Sequence, residues 1–160
     1  MPFKKEFIKN MINIRDFTEQ DRENFISMCT CFYSSDAVLY PLSQEAMSKT
    51  FDEIIKQSPY LRGLIIEYNS SISGYINLSL TYSNEANGLV VFLEEIYIKP
   101  EFQGKGLGTY ALTWVLKEYS GIATRYRLEV CSSNSGAIKL YERLGFKNFE
   151  YKQMVIDIGK

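Results

Sequence analysis

Histidine is missing from all 160 residues. Its absence removes Ser-His-Asp and Cys-His nucleophile systems, the HExxH zinc site and any imidazole proton switch, and no metal is expected. Proton transfer must fall to carboxylates, tyrosine, lysine, cysteine or water. Cysteine is scarce as well: Cys29, Cys31 and Cys131 are an odd number without a repeated CxxC spacing, which suits free thiols in a reducing compartment. Long apolar runs are also lacking, the longest after the N-terminus being the five residues Leu89 to Leu93, and charge interrupts the first seventeen residues every two or three positions. Neither a membrane span nor a signal peptide is expected, and the location is read as cytoplasmic. No repeat, low-complexity tract or Pro/Gly/Ser linker divides the chain, so residues 1–160 read as a single domain.

What is present is a globular composition, 46% hydrophobic and 23% charged. The net charge of -1 conceals a segregation of sign. Residues 1–98 hold 8 Lys/Arg against 13 Asp/Glu, and residues 99–160 hold 10 against 6. An anionic ligand suits the second part and a cationic one the first. The aromatic residues between 60 and 97 lack a basic stripe, so they read as core and no nucleic-acid partner is expected.

Periodicity orders the elements. A short alternating strand is expected over Ile12 to Phe17, then a helix over 19–33 after Thr18, and a second helix from Ser43 to about Gln57, stopped by Pro59. Residues 60–68 and 72–82 read as an antiparallel hairpin, and Leu89 to Ile98 as a strand buried on both faces. A helix over 107–119, a strand over Arg127 to Cys131, a helix capped by Asn134 and stopped by Gly145, and one or two strands within Phe146 to Ile158 complete an α/β arrangement with a mixed sheet.

The strand-to-helix junction Glu94 to Ala111 is the most informative stretch. Gly104, Gly106 and Gly108 there leave the N–H groups of a helix N-terminus uncovered, so the loop can grip a phosphate or pyrophosphate, with Lys105 adding charge. The same glycines could instead serve close backbone packing. A Walker loop is absent. Gly106, Gly108 and Ala111 fit GxGxxA, but seven residues separate the strand from the first of them, so a dinucleotide fold remains a minor alternative.

Gln103-x-x-Gly106-x-Gly108 after the strand EEIYIKP, followed by Asn134-x-x-Ala137-x-x-x-Tyr141 and the Gly145-Phe146 turn, resembles the GCN5-related N-acetyltransferase (GNAT) family. The resemblance implies a single-domain GNAT fold with a mixed, mostly antiparallel central sheet flanked by about four helices. It implies acetyl-CoA as cosubstrate, lying between two parted parallel strands and attacked directly by a primary amine of a small molecule or peptide. By the same resemblance, the backbone of Ile96, Tyr97 and Ile98 pairs with the pantetheine and polarises the thioester carbonyl. The amides of Gly104, Lys105, Gly106, Leu107, Gly108 and Thr109 hold the pyrophosphate, with Gln103 opening the motif. Asn134 and Ala137 line the other side, and Tyr141 protonates the departing thiolate. A CoA-binding regulatory domain without turnover is the alternative, and a homodimer is left open.

Family members differ in their base, and three carboxylates compete here. Glu129 precedes the tyrosine helix. Glu94 and Glu95 are adjacent on one strand, where strict alternation puts Glu94 with Ile96 and Ile98 and Glu95 with Tyr97, so that one of the pair at most faces a given side. Glu94 is slightly favoured. Cys131 lacks an activating neighbour in the sequence and reads as packing.

Overall fold

The computed structural model describes residues 11–158. Five strands form one sheet in the order β1-β2-β3-β4-β5: β1 (Ile12–Asp16), β2 (Leu61–Tyr68), β3 (Ser71–Ser83), β4 (Gly88–Ile98) and β5 (Ala123–Leu128). The first three pairings are antiparallel and β4–β5 is parallel. Four α-helices accompany the sheet among the described residues: α1 (Arg22–Tyr33), α2 (Gln44–Ile55), α3 (Leu107–Glu118) and α4 (Ser135–Arg143). Short 3-10 turns at Glu19–Asp21 and Pro100–Phe102 lead into α1 and out of β4.

Side-chain alternation along the strands sends apolar residues to both faces, and each face recruits its own helix pair. Met47, Phe51 and Ile54 recur at helical spacing on α2 and meet Phe25 and Met28 of α1 over Ile65 and Tyr75. Phe17, Phe25, Phe51 and Tyr75 form a ring cluster there, with centroids 5.2 to 5.8 Å apart. On the opposite face Leu64, Ile66, Ile76, Leu78, Val91 and Leu93 pack against Leu107, Ala111, Leu112 and Val115 of α3 and Tyr141 of α4. The result is a three-layer α/β/α arrangement whose cofactor-type motifs lie with α3 and α4, and whose acidic first half supplies α1 and α2.

Two expectations need correction. The fifth strand begins four residues earlier than expected and ends at Leu128 rather than Cys131. Gly121, at φ +80°, turns the chain back from the end of α3, so pairing with β4 starts at Ala123; Glu129 to Cys131 then leave the sheet where β4 and β5 part. Residues 146–158 form no strand. There Phe149 is drawn in front of β5 by the guanidinium groups of Arg125 and Arg127, 5.3 and 5.2 Å from its ring centroid.

Candidate active site

The β4–β5 ladder runs from Leu89↔Ala123 to Leu93↔Leu128 and stops, while β4 continues to Ile98 paired with β3 alone. A β-bulge marks the point of parting. Asn77 of β3 faces Glu95 and Leu78 faces Leu93, which leaves Glu94 as the extra residue. A bulge bends its strand away from the neighbour and turns successive side chains toward one face. The gap opens into a cleft of about 670 Å³, floored by β4 and walled by the α3 loop, α4 and the end of α1.

One wall is backbone. Gly106 caps α3 at φ +82°, no side chain bonds to the cap, and the first turn carries no acidic residue. The first amides of α3 therefore have no partner within the helix. A Cβ placed on Gly104 or Gly106 would meet nothing within 4 Å, so both face open space, and their positive φ is one that L-residues resist. Gly108 plays a different part: a Cβ there would stand 3.5 Å from Leu140, and its smallness lets α3 approach α4. Gln103 braces the loop by donating from Nε2 to the Ile98 carbonyl at 3.1 Å. These unpaired amides around empty space fit an anionic phosphate group.

Lys105 is placed differently from its expected role beside the phosphate. Its ammonium donates to the Glu101 carbonyl and rests over the rings of Phe102 and Tyr68, 5.1 and 5.8 Å from their centroids. Leu107 is buried in the core beneath the loop, while Thr109 lines the cleft. Ile96 and Ile98 line it too, but the Tyr97 side chain lies on the far face near Phe32 and Tyr75, leaving only its backbone toward the gap.

Across the cleft, Asn134 caps α4 by accepting from the Ala137 amide at 3.1 Å, and both residues line the wall. Two turns along α4, Tyr141 is 9% exposed, with its ring 6.0 Å from that of Phe146. Burial pushes its phenol up, which keeps the proton on it through neutral pH. The hydroxyl has no hydrogen-bond partner among the described residues and lies on the cleft.

The third wall is made of side chains. Glu94, Glu95 and Glu129 all line the cleft, against a single lining cation, Arg143. Strict alternation placed Glu95 correctly, on the face of Tyr97, and misplaced Glu94: Glu94 accepts from Ser79 and Glu95 from Asn77, two residues apart on the same face of β3, because the bulge brings both carboxylates to one side. Glu94 and Glu129 are exposed. Glu95 is enclosed. Its Oε1 accepts from the Tyr33 hydroxyl at 2.7 Å, and its Oε2 from the Tyr75 hydroxyl at 2.7 Å and Asn77 Nδ2 at 3.2 Å. Burial holds its carboxyl above the ordinary glutamate range, and the Glu94 charge adds to the effect. The bonds from Tyr75, Tyr33 and Asn77 offset part of it.

Sequence reasoning passed over Tyr33, Tyr75 and Asn77. The signal for the bulge was present in β4, where the inward apolar positions run 91, 93, 96, 98 and skip one residue at Glu94.

A parted parallel strand pair beside an uncapped helix N-terminus, under a mixed sheet in three layers, is an acyltransferase architecture. The Acetyltransferase (GNAT) family matches residues 22–146, and the chain belongs to that family of N-acetyltransferases. It is 28% identical over 141 residues to an uncharacterized N-acetyltransferase of Methanocaldococcus jannaschii, the match covering 86% of this chain and 61% of that one. It is 26% identical over 140 residues to the spermine/spermidine N(1)-acetyltransferase of Bacillus subtilis, covering 85% of this chain and 88% of that one. Among solved structures, the aminoglycoside N-acetyltransferase AAC(6')-Iy in complex with CoA superposes with a TM-score of 0.71 at 20% identity, covering 91% of this chain and 94% of that one. Among the described residues, no helix is long and apolar enough to cross a membrane.

Proposed function

We propose that this N-acetyltransferase uses acetyl-CoA to acetylate a small, cationic primary amine, with Glu95 as base and Tyr141 as acid. The observation that carries the reading is the enclosure of Glu95, on the same cleft that the unpaired α3 amides and the free Tyr141 hydroxyl border. Acetyl-CoA supplies an activated acetyl thioester. The α3 N-terminus holds its pyrophosphate, and the edge of β4 at residues 96–98, freed where β5 departs, offers backbone groups to the pantetheine arm. Glu95, with its proton affinity raised by burial, takes the proton that the amine must lose as nitrogen attacks the thioester carbon. Tyr141 gives its phenolic proton to the thiolate that leaves.

Glu94 and Glu129 then serve as the negative rim that draws a cation to the mouth. The relatives named for spermine and aminoglycoside acetylation take polycations, which agrees with this rim. The same composition that lacks disulfide spacing supports a cytoplasmic location. A thiol-release assay with acetyl-CoA and an amine panel tests the reading: turnover is expected with polyamines and other multiply charged primary amines. Preference for a neutral or anionic acceptor would remove the substrate class. Protection by CoA against heat without thiol release from any amine would remove the proposed acceptor chemistry.

A further inference from the structure

Asn77 stands opposite Glu95 on β3 and is 4% exposed. Its Nδ2 donates to Glu95, while its Oδ1 is a buried side-chain acceptor without a partner, the one such atom among the described residues. Buried polar atoms are almost always paired, so an orphan of this kind calls for a reason in the chemistry of its neighbours. Its strand neighbours are Tyr75 two residues before and Ser79 two residues after, and the aromatic and aliphatic core of α1 and α2 lies over the same face. An aliphatic residue would pack at this position. An amide is there instead, touching one carboxylate.

The groups that face Glu95 come from each packed element: Tyr33 and Cys29 from α1, Tyr75 and Asn77 from β3, and Glu94 on β4 itself. Burial, foremost, pushes the two phenols far up and the Cys29 thiol up to about 12, so all three stay neutral. No Lys or Arg forms an ion pair with Glu95 among the described residues. The ionised carboxylate is therefore held by neutral donors alone. Of these, only the amide carries a donor and a separate acceptor on one rotatable group.

We infer that Asn77 is a positioning residue that serves Glu95 in both of its protonation states. With Glu95 ionised, Nδ2 donates to it, as observed. When Glu95 takes the proton from the attacking amine, an N–H bond is broken and a carboxyl O–H is made. A half-turn of the amide about its Cβ–Cγ bond then presents Oδ1 to accept that O–H. Release of the proton to solvent returns both groups to the start. This inference rests on the reading of Glu95 as the base.

The test is the titration of the Glu95 carboxyl by carbon NMR in the full chain, assigned by its loss in Glu95→Gln, beside the pH profile of kcat/KM. Asn77→Leu keeps the volume and serves neither state, and Asn77→Asp can accept but no longer donate to an ionised neighbour. Asn77→Asp keeps an acceptor, loses the donor and adds a second carboxylate, so it should raise the carboxyl pKa by on the order of one unit or more, whereas Asn77→Leu loses donor and acceptor together, whose effects oppose, and should shift it much less. The acid limb of kcat/KM should move up by the same amounts. CoA-induced stabilisation, retained in both variants, certifies the fold, and either variant alone supports the measurement if the other fails to fold. A Glu95 titration that stays at its wild-type position in folded Asn77→Asp, or one that Asn77→Leu alone raises by about a full unit, overturns the two-state role of Asn77. If Glu95→Gln abolishes the acid limb but the Asn77 variants leave it unmoved, the base reading stands and this inference falls. A carboxyl pKa that moves while the limb does not sinks the base reading and leaves the hold of Asn77 on Glu95 standing.

Discussion

The two ends of the cleft are built by different means. At the α3 end, the proposed cosubstrate site is made of main-chain amides in six consecutive residues, Gly104 to Thr109, and depends on what is missing: Cβ atoms, a side-chain cap and acidic neighbours. The Glu95 end is made of side chains drawn from α1, β3 and β4, and the donors to the carboxylate lie 18, 20 and 62 residues away in the chain. A backbone site recognises charge and shape and is indifferent to which helix packs behind it. A side-chain site is as good as the packing that assembles it. The first suits a shared cosubstrate and the second suits a proton transfer whose energetics must be tuned.

The largest expected effect falls on the side-chain end. Glu95→Gln should lower kcat by roughly a hundred- to a thousandfold, within the usual range for a general base. Glu94→Gln, which removes an exposed group bonded to Ser79, should lower it only severalfold. Steady-state kinetics on the pair separates them, and equal losses would dissolve the distinction between enclosed and exposed carboxylates. Stability adds a second reading. A glutamate raised in the folded state takes up a proton on folding between its ordinary value of 4.5 and its folded pKa. Relative to Glu95→Gln, the wild type should therefore gain stability as pH falls through the folded pKa toward 4.5, with no further gain below. Urea titrations across that window show the slope.

Tyr141→Phe keeps the ring and its packing on Phe146 and removes only the hydroxyl. It should reduce kcat by roughly ten- to a hundredfold, with CoA affinity and melting temperature unchanged. Full activity with altered stability would make Tyr141 a packing residue. At the backbone end, Gly106→Val forces a β-branched residue to φ +82° and fills the open space before the amides. CoA affinity should fall about tenfold or more while kcat at saturating acetyl-CoA changes little, and calorimetry checks it. A kcat loss as large as that of Glu95→Gln would join what the comparison separates. The smallest effect concerns salt. The Glu94 and Glu129 rim is exposed, so raising ionic strength should increase the KM of a cationic amine a few-fold and leave its kcat in place.

How much of this was legible in the sequence follows the same division. The α3 loop, the Asn134 cap and Tyr141 were readable because their determinants are local: a glycine that must take a positive φ, an amide three residues ahead of its cap, a tyrosine two turns along a helix. The order of the elements along the chain, the hairpin and the strand buried on both faces followed from periodicity. Tyr33, Tyr75 and Asn77 were not readable as a site, since nothing local to any of them says that they converge on one carboxylate. The fifth strand was shifted because its residues lack a clean alternation and its start is set by where α3 ends. The segment 146–158, rich in β-formers, takes no ladder, as Phe149 answers to the arginines in front of it rather than to its own propensity.

Glu94 also has an arithmetical role, apart from its charge. Counting along β4 in twos, Val91 and Leu93 are odd-numbered, while Ile96 and Ile98 are even, yet all four pack on the same core. One residue has to be left out of the count, and Glu94 is the one. Shortening the chain by that single residue would make the parity uniform while Leu93, Glu95, Ile96 and Ile98 kept their partners on β3. The strand would then run straight beside β5, with its local bend gone. Such a chain would keep both halves of its core and lose the opening between the strands. The opening of the cleft is thus tied to one surplus amino acid, and deletion of Glu94 is expected to leave a folded chain that no longer binds CoA.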